Sequence, residues 1–172
     1  LVVLGTTGES VVLSKDEKEK ILKHVIEINN GRLAVVLGLG GNCTDSVVRE
    51  YKSYNLDGVD AILSVSPYYN KPSQKGIYCH YKKLSESFNH PIVLYNVPGR
   101  TSSNISAETT LKLAKDFENV IAIKEASGDL DQIMTIINNK PNDFLVISGD
   151  DGLTLAMVLM GAKGVISVAG QA

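Results

Sequence analysis

Seven short apolar runs alternate with longer amphipathic ones along this chain. The runs are Leu1–Leu4, Leu33–Leu37, Ala61–Val65, Ile92–Tyr95, Val120–Ile123, Phe144–Ile147 and Gly164–Val168. Their apolar residues fall on consecutive positions rather than on every second one, which is the pattern of strands buried on both faces, as in a parallel sheet. Between them the period changes to that of a helix. Lys15–Asn29 carries Ile21, Leu22, Val25, Ile26 and Ile28 on one stripe, with Ser14 and Glu17 spaced as a capping box and Gly31 as a stop. Thr44 is expected to cap a helix over Asp45–Tyr54, Ser73 one that reaches about Phe88, and Ser106 one over Ala107–Lys115. Asp129 opens a helix to about Asn138, and Asp151 one to about Met160.

The order is a strict strand–helix alternation of seven strands and six helices, which predicts a parallel sheet with right-handed crossovers and no internal domain boundary. A doubly wound open sheet and a closed (β/α)₈ barrel both fit that order. The ends of the runs separate them. Six runs lead into polar or glycine-rich clusters: Gly5-Thr6-Thr7-Gly8-Glu9, Gly38-Leu39-Gly40-Gly41-Asn42, Ser66-Pro67-Tyr68-Tyr69-Asn70, Tyr95-Asn96-Val97-Pro98-Gly99-Arg100, Lys124-Glu125-Ala126-Ser127-Gly128 and Ser148-Gly149-Asp150-Asp151. In a barrel all C-terminal strand ends meet on one face, whereas in an open sheet only those at the switch point do. The barrel is therefore favoured.

Composition narrows the function classes. The chain has 172 residues, a net charge of −2, 44% hydrophobic and 21% charged residues, an ordinary balance for one globular domain. Scattered Lys and Arg leave no footprint for nucleic acid. No apolar run approaches a membrane span, and no signal peptide is visible. Cys43 and Cys79 lie far apart and form no paired motif, which reads as two reduced thiols in a cytoplasmic protein. His24, His80 and His90 lack metal-ligand spacing and read as surface or packing residues.

Lys124 carries the most chemistry. It closes the run Val120-Ile121-Ala122-Ile123, where a charged amine is costly. A buried lysine loses its proton more easily, and the neutral amine is what attacks a carbonyl. The competing reading is a lysine that reaches solvent or pairs with Glu125. Tyr95, at the end of Ile92-Val93-Leu94, suits proton transfer but equally suits a core tyrosine. Arg100, in a Pro- and Gly-shaped loop, suits bidentate carboxylate binding or simple solvation. Thr6 and Thr7 lie in a turn open to close ligand approach, though without a nucleotide-binding pattern, and Gly38-Leu39-Gly40-Gly41 is no dinucleotide fingerprint. Asp150-Asp151 reads first as a helix cap.

Taken in order, Gly5-Thr6-Thr7-Gly8-Glu9, Ser66-Pro67-Tyr68-Tyr69-Asn70, Tyr95-Asn96-Val97-Pro98-Gly99-Arg100-Thr101, Ile123-Lys124-Glu125-Ala126, Ser148-Gly149-Asp150-Asp151 and Gly164-Val165-Ile166-Ser167-Val168 resemble the pyruvate-dependent class I aldolase and N-acetylneuraminate lyase superfamily of barrels, and within it the dihydrodipicolinate synthase family. The resemblance covers essentially the whole chain. It implies a (β/α)₈ TIM barrel of which this chain holds strands 2 to 8, the first strand and helix and the C-terminal helices lying outside it. It also implies a lyase that condenses pyruvate with L-aspartate 4-semialdehyde, in lysine and diaminopimelate biosynthesis. Lys124 would form the Schiff base, and Tyr95 would donate and accept the proton. Thr6 and Tyr69 would complete a proton relay, Tyr69 reaching in from a neighbouring subunit. Thr7, Gly149 and the backbone at Ile166 would hold pyruvate, and Arg100 would bind the carboxylate of the aldehyde. No metal or organic cofactor is implied, and the assembly would be a homotetramer. Sibling aldolases of sugar acids share the lysine and the tyrosine, and Arg100 is the main discriminator. A barrel that binds a keto acid without catalysis is the reading from another class.

Overall fold

The computed structural model describes residues 1–171. Six parallel strands form one sheet: β1 (Val2–Val3), β2 (Val36–Gly38), β3 (Ala61–Val65), β4 (Ile92–Asn96), β5 (Val120–Glu125) and β6 (Leu145–Ser148). Each strand pairs with the next in sequence, in the order β1-β2-β3-β4-β5-β6. A doubly wound sheet must reverse its strand order at a switch point, whereas a barrel wall never does. The unbroken order therefore decides for the barrel type. The seventh expected strand, Gly164–Val168, is corrected: it forms only an isolated parallel bridge, Ser148 to Val165. The hydrogen bonds Ser148 N to Gly164 O (2.8 Å) and Ile166 N to Ser148 O (2.9 Å) keep the segment beside β6.

Helices cross between the strands: α1 (Lys15–Asn29), α2 (Thr44–Ser53), α3 (Gln74–Ser87), α4 (Pro98–Thr101), α5 (Ala107–Asp116), α6 (Leu130–Asn139) and α7 (Thr154–Met160). The Ser14–Glu17 capping box is present, and Ser73, Ser106 and Asp129 accept the backbone N–H of their third following residue, as their spacing predicts. Two caps fail. Cys43, not Thr44, occupies the N-cap of α2, because the Thr44 hydroxyl sits 2.8 Å from His80 Nδ1 on α3. Asp151 does not open α7, which begins at Thr154. Its carboxylate instead accepts the N–H groups of Val168 (3.0 Å) and Ala169 (2.8 Å). The one-turn helix α4, with Pro98 at its first position, replaces an expected loop.

Strand alternation divides the core in two. Ile62, Ile92, Leu94, Ile123 and Val146 point toward the helices, where they join Leu84, Ile105, Leu113 and Ile133 in the main cluster. Ala61, Leu63, Val93, Tyr95 and Ala122 point the other way and form a smaller cluster. This second face is the concave side of the sheet, and the reactive residues stand on it.

Candidate active site

Strands β4 and β5 set the centre of the site. Their register pairs Tyr95 with Lys124, so both side chains leave the sheet on the same side and at the same level. Lys124 Nζ lies 4.3 Å from the centre of the Tyr95 ring. Lys124 is only 8% exposed and makes no ion pair among the described residues. Burial holds its amine below the ordinary lysine range. Asp151 opposes that shift, and Arg100 adds to it. Glu125 cannot serve as its counter-ion, because the next residue along a strand points to the opposite face. Of the two readings the sequence left open, the buried amine is the one observed.

Gly149 follows β6 and closes the site on the far side of Lys124. A Cβ at Gly149 would stand 2.8 Å from Lys124 Cε and 3.0 Å from Ala126 Cβ, so only glycine leaves the lysine stem its room. On the other side a cavity of about 300 Å³ is lined by Thr6, Leu39, Gly40, Tyr68, Tyr95 and Arg100 among others. Gly38 approaches the Leu4 carbonyl so closely that a side chain there would collide with it. Gly38, the last residue of β2, thus lets the ends of β1 and β2 meet. Leu4 itself adopts φ 58, a left-handed conformation rare for a branched residue and typical of strain at functional sites.

Among the residues singled out from the sequence, the fold therefore brings together Lys124, Tyr95 and Gly149, and places Thr6 and Arg100 on the cavity that Tyr95 also lines. Thr7 occupies the same short turn, Thr6–Gly8, but is exposed outside the cavity wall. Ile166 is half-buried, and its N–H is already given to Ser148 O, which leaves its carbonyl as the backbone group open to a ligand. Tyr69 is not brought to the site within this chain. It is 88% exposed at φ 71, while its neighbour Tyr68 lines the cavity. No cluster of three or more His, Cys, Asp or Glu able to hold a metal occurs among the described residues. No helix there is long and apolar enough to cross a membrane. Cys43 and Cys79 are free thiols.

Two features escaped the sequence reading. Asp151 acts electrostatically on Lys124 while holding the segment after β6. Asn96 and Glu125, one residue beyond Tyr95 and Lys124, form a buried polar pair on the helix side. The spacing of alternating strand residues was the available signal for that pair.

Six parallel strands in unbroken order, with a desolvated lysine and a tyrosine side by side at their C-terminal ends, define a barrel of the (β/α)₈ class with its candidate site on that face. The model of the dihydrodipicolinate synthetase family matches residues 1–171, and the chain belongs to that family. The 4-hydroxy-tetrahydrodipicolinate synthase of Flavobacterium psychrophilum is 59% identical over 171 residues, covering 99% of this chain and 58% of that protein. A solved monomeric dihydrodipicolinate synthase variant superposes with a TM-score of 0.96 at 44% identity, over 99% of this chain and 58% of its own. The chloride-inhibited dihydrodipicolinate synthase of Acinetobacter baumannii, solved in complex with pyruvate, gives a TM-score of 0.93 at 40% identity, over 98% of this chain and 58% of that one. This chain thus spans less than two thirds of the length of these relatives.

Proposed function

We propose that the protein condenses pyruvate with L-aspartate 4-semialdehyde to give 4-hydroxy-tetrahydrodipicolinate, through an imine on Lys124. The observation that carries this reading is the Lys124 amine itself: buried, without an ion pair among the described residues and held against the Tyr95 ring. Burial lowers the pKa of such an amine, and so enlarges the neutral fraction that can attack a carbonyl. Its nitrogen adds to the ketone carbon of pyruvate, water leaves, and the resulting imine draws electrons from the adjacent methyl. Loss of a methyl proton gives an enamine, whose carbon adds to the aldehyde. The amino group of the second substrate then attacks the imine carbon, closes the ring and releases Lys124. No cofactor enters any of these steps.

Tyr95 moves the proton, with Thr6 and, from a second subunit, Tyr69 as relay partners. Thr7, Gly149 and the Ile166 carbonyl bind pyruvate, and Arg100 binds the carboxylate of the aldehyde, where a planar fork gives paired hydrogen bonds. The strands of this chain stand as strands 2 to 7 of an eight-stranded barrel, with Gly164–Val168 in the place of strand 8. The outward position of Tyr69 supports an assembly in which it reaches a neighbour, a tetramer in the complete cytoplasmic enzyme.

Borohydride reduction of the full-length protein with pyruvate, followed by peptide mass spectrometry, tests the reading. A reduced pyruvyl adduct on Lys124 is expected. Folded protein that yields no adduct refutes it. An adduct on protein that consumes sugar aldehydes but not aspartate semialdehyde assigns the site to a sibling aldolase instead.

A further inference from the structure

The buried carboxylate of Glu125 plays no part in the chemistry above. Glu125 is fully buried. Its Oε1 accepts Asn96 Nδ2 (3.1 Å) and the Ser127 N–H (2.8 Å), and its Oε2 accepts Asn96 Nδ2 (3.1 Å) and Gln132 Nε2 (3.3 Å). Every partner is a donor and none is a cation, so the ionised carboxylate is the form these contacts satisfy, and a carboxyl proton would find no acceptor among them. Burial still pushes the carboxyl above its usual range, against the pull of those hydrogen bonds. A well-packed apolar side chain would avoid that cost. What the carboxylate gains is a grip on Asn96.

Asn96 in turn closes a loop. Its Oδ1 accepts the Ile105 N–H (2.9 Å), and its Nδ2 also reaches Asn104 Oδ1 (2.8 Å). Residues 97–105 therefore leave β4 and return to the side chain of its last residue. Inside the loop, Thr101 Oγ1 donates to the Ser103 carbonyl (2.8 Å), and the Ser103 hydroxyl meets Ser66 (3.3 Å). Asn104 is tied further to Gln132 on α6 (2.8 Å). Arg100 rides on this loop, in α4. One end of the chain of contacts is thus Glu125, adjacent to the nucleophile, and the other is the loop that presents the arginine.

We infer that Glu125 and Asn96 form a positioning pair that fixes the Arg100 loop relative to Lys124, and so sets recognition of the carboxylate-bearing second substrate. The inference rests on the proposed roles of Lys124 and Arg100. Both residues of the pair are fully buried on the helix side, away from the face that carries Lys124 and Tyr95. Misplacing a group by about 1 Å costs on the order of a hundredfold in rate, so loss of the pair is read at Arg100 as a change in recognition of the second substrate.

The test is a double-mutant cycle on the full-length protein. Glu125→Gln keeps the shape and removes the charge. It is expected to raise KM for aspartate semialdehyde about tenfold with a smaller fall in kcat, and to leave KM for pyruvate within about twofold. In an Arg100→Ala background the same substitution is expected to change KM for the aldehyde by less than about twofold, because the group it positions is gone. Fold-changes that multiply across the two sites overturn the inference, as does an equal loss for both substrates. Gln132→Ala, which removes a donor to Glu125 from the half-exposed side of α6, runs the same cycle with an expected effect of about threefold if Glu125→Gln does not fold. Wild-type protein that forms no pyruvyl adduct refutes the underlying function. Wild-type protein that forms it while the cycle is additive refutes the positioning role alone.

Discussion

Tyr95-Asn96 and Lys124-Glu125 are dipeptides at the ends of two neighbouring strands, and their two faces differ in kind. On the concave face, Lys124 and Tyr95 meet through an amine-to-ring contact, and Lys124 has no ion pair among the described residues. On the helix face, Glu125 and Asn96 are saturated with hydrogen bonds that reach α6 and the loop before α5. The same backbone delivers an under-satisfied amine to one side and an over-determined anchor to the other. Reactivity and rigidity are separated by a single residue step, because a strand turns successive side chains through half a circle. A reactive group can be left destabilised when its immediate neighbour is held fast.

The sharpest way to break this contrast is to remove the amine. Lys124→Met keeps the stem and loses the nitrogen. Under the proposed mechanism, turnover in the full-length protein is expected to fall by at least about a thousandfold, since the imine forms on this nitrogen. Its melting temperature is expected to stay the same or rise, because a buried, desolvated amine is exchanged for an apolar side chain. A large drop in melting temperature would mean that Lys124 is part of the structural framework, and the contrast between the faces would collapse.

The helix side carries a pH liability of its own at His80. This imidazole is buried, with Nδ1 beside the Thr44 hydroxyl and no partner for Nε2 among the described residues, and burial lowers its pKa to about 4. In the unfolded chain it titrates near 6.5. Above pH 6.5 the ring is neutral in both states. As the pH falls from there toward 4, only the unfolded chain takes up the proton, and up to about 3 kcal/mol of stability is lost. Denaturant titrations of wild type and His80→Gln at pH 7 and pH 4.5 check this. The variant should lose less stability than the wild type over that interval, while turnover at pH 7 is unaffected. Equal losses would show that other groups govern the acid limb.

The sequence made the helix side most legible where capping residues act alone. Ser14, Ser73, Ser106 and Asp129 all cap as their spacing predicts, and the further partners of Ser14 and Ser106, Glu17 and Thr109, lie in the same first turn. Thr44 and Asp151 fail for one shared reason: each has a partner distant in sequence, His80 for one and the Val168 and Ala169 amides for the other. Local patterns do not contain such partners. On the concave face Lys124, Tyr95 and Gly149 stand out in the sequence as residues at strand ends, but the choice between a buried, unpaired lysine and a Lys124–Glu125 ion pair is not legible there. That choice needed the certainty that β5 runs as a strand through Glu125. Gly164–Val168 was overread as a strand because its apolar run is real, while its ladder shrinks to one bridge.

Gly149→Ala tests the concave face with the least possible change, one methyl group. That methyl would sit 2.8 Å from Lys124 Cε, 3.0 Å from Lys124 Cγ and 3.0 Å from Ala126 Cβ. The neighbours on Lys124 are atoms of a flexible stem, but that stem is packed at 8% exposure against the Tyr95 ring. It can give way only by carrying the amine off its present position. Ala126 Cβ has no rotamer with which to retreat, so the displacement falls on the lysine. A shift of about 1 Å in a reacting group costs on the order of a hundredfold in rate, while overpacking by one methyl costs about 1–3 kcal/mol in stability. Turnover is therefore expected to fall by about a hundredfold, with slower accumulation of the borohydride-trapped adduct and a modest loss of stability. Single-turnover trapping rates for wild type and variant measure it. An unchanged rate would show that the Lys124 stem has slack that its burial conceals, and the tight packing of the reactive face would no longer explain why glycine stands at this position.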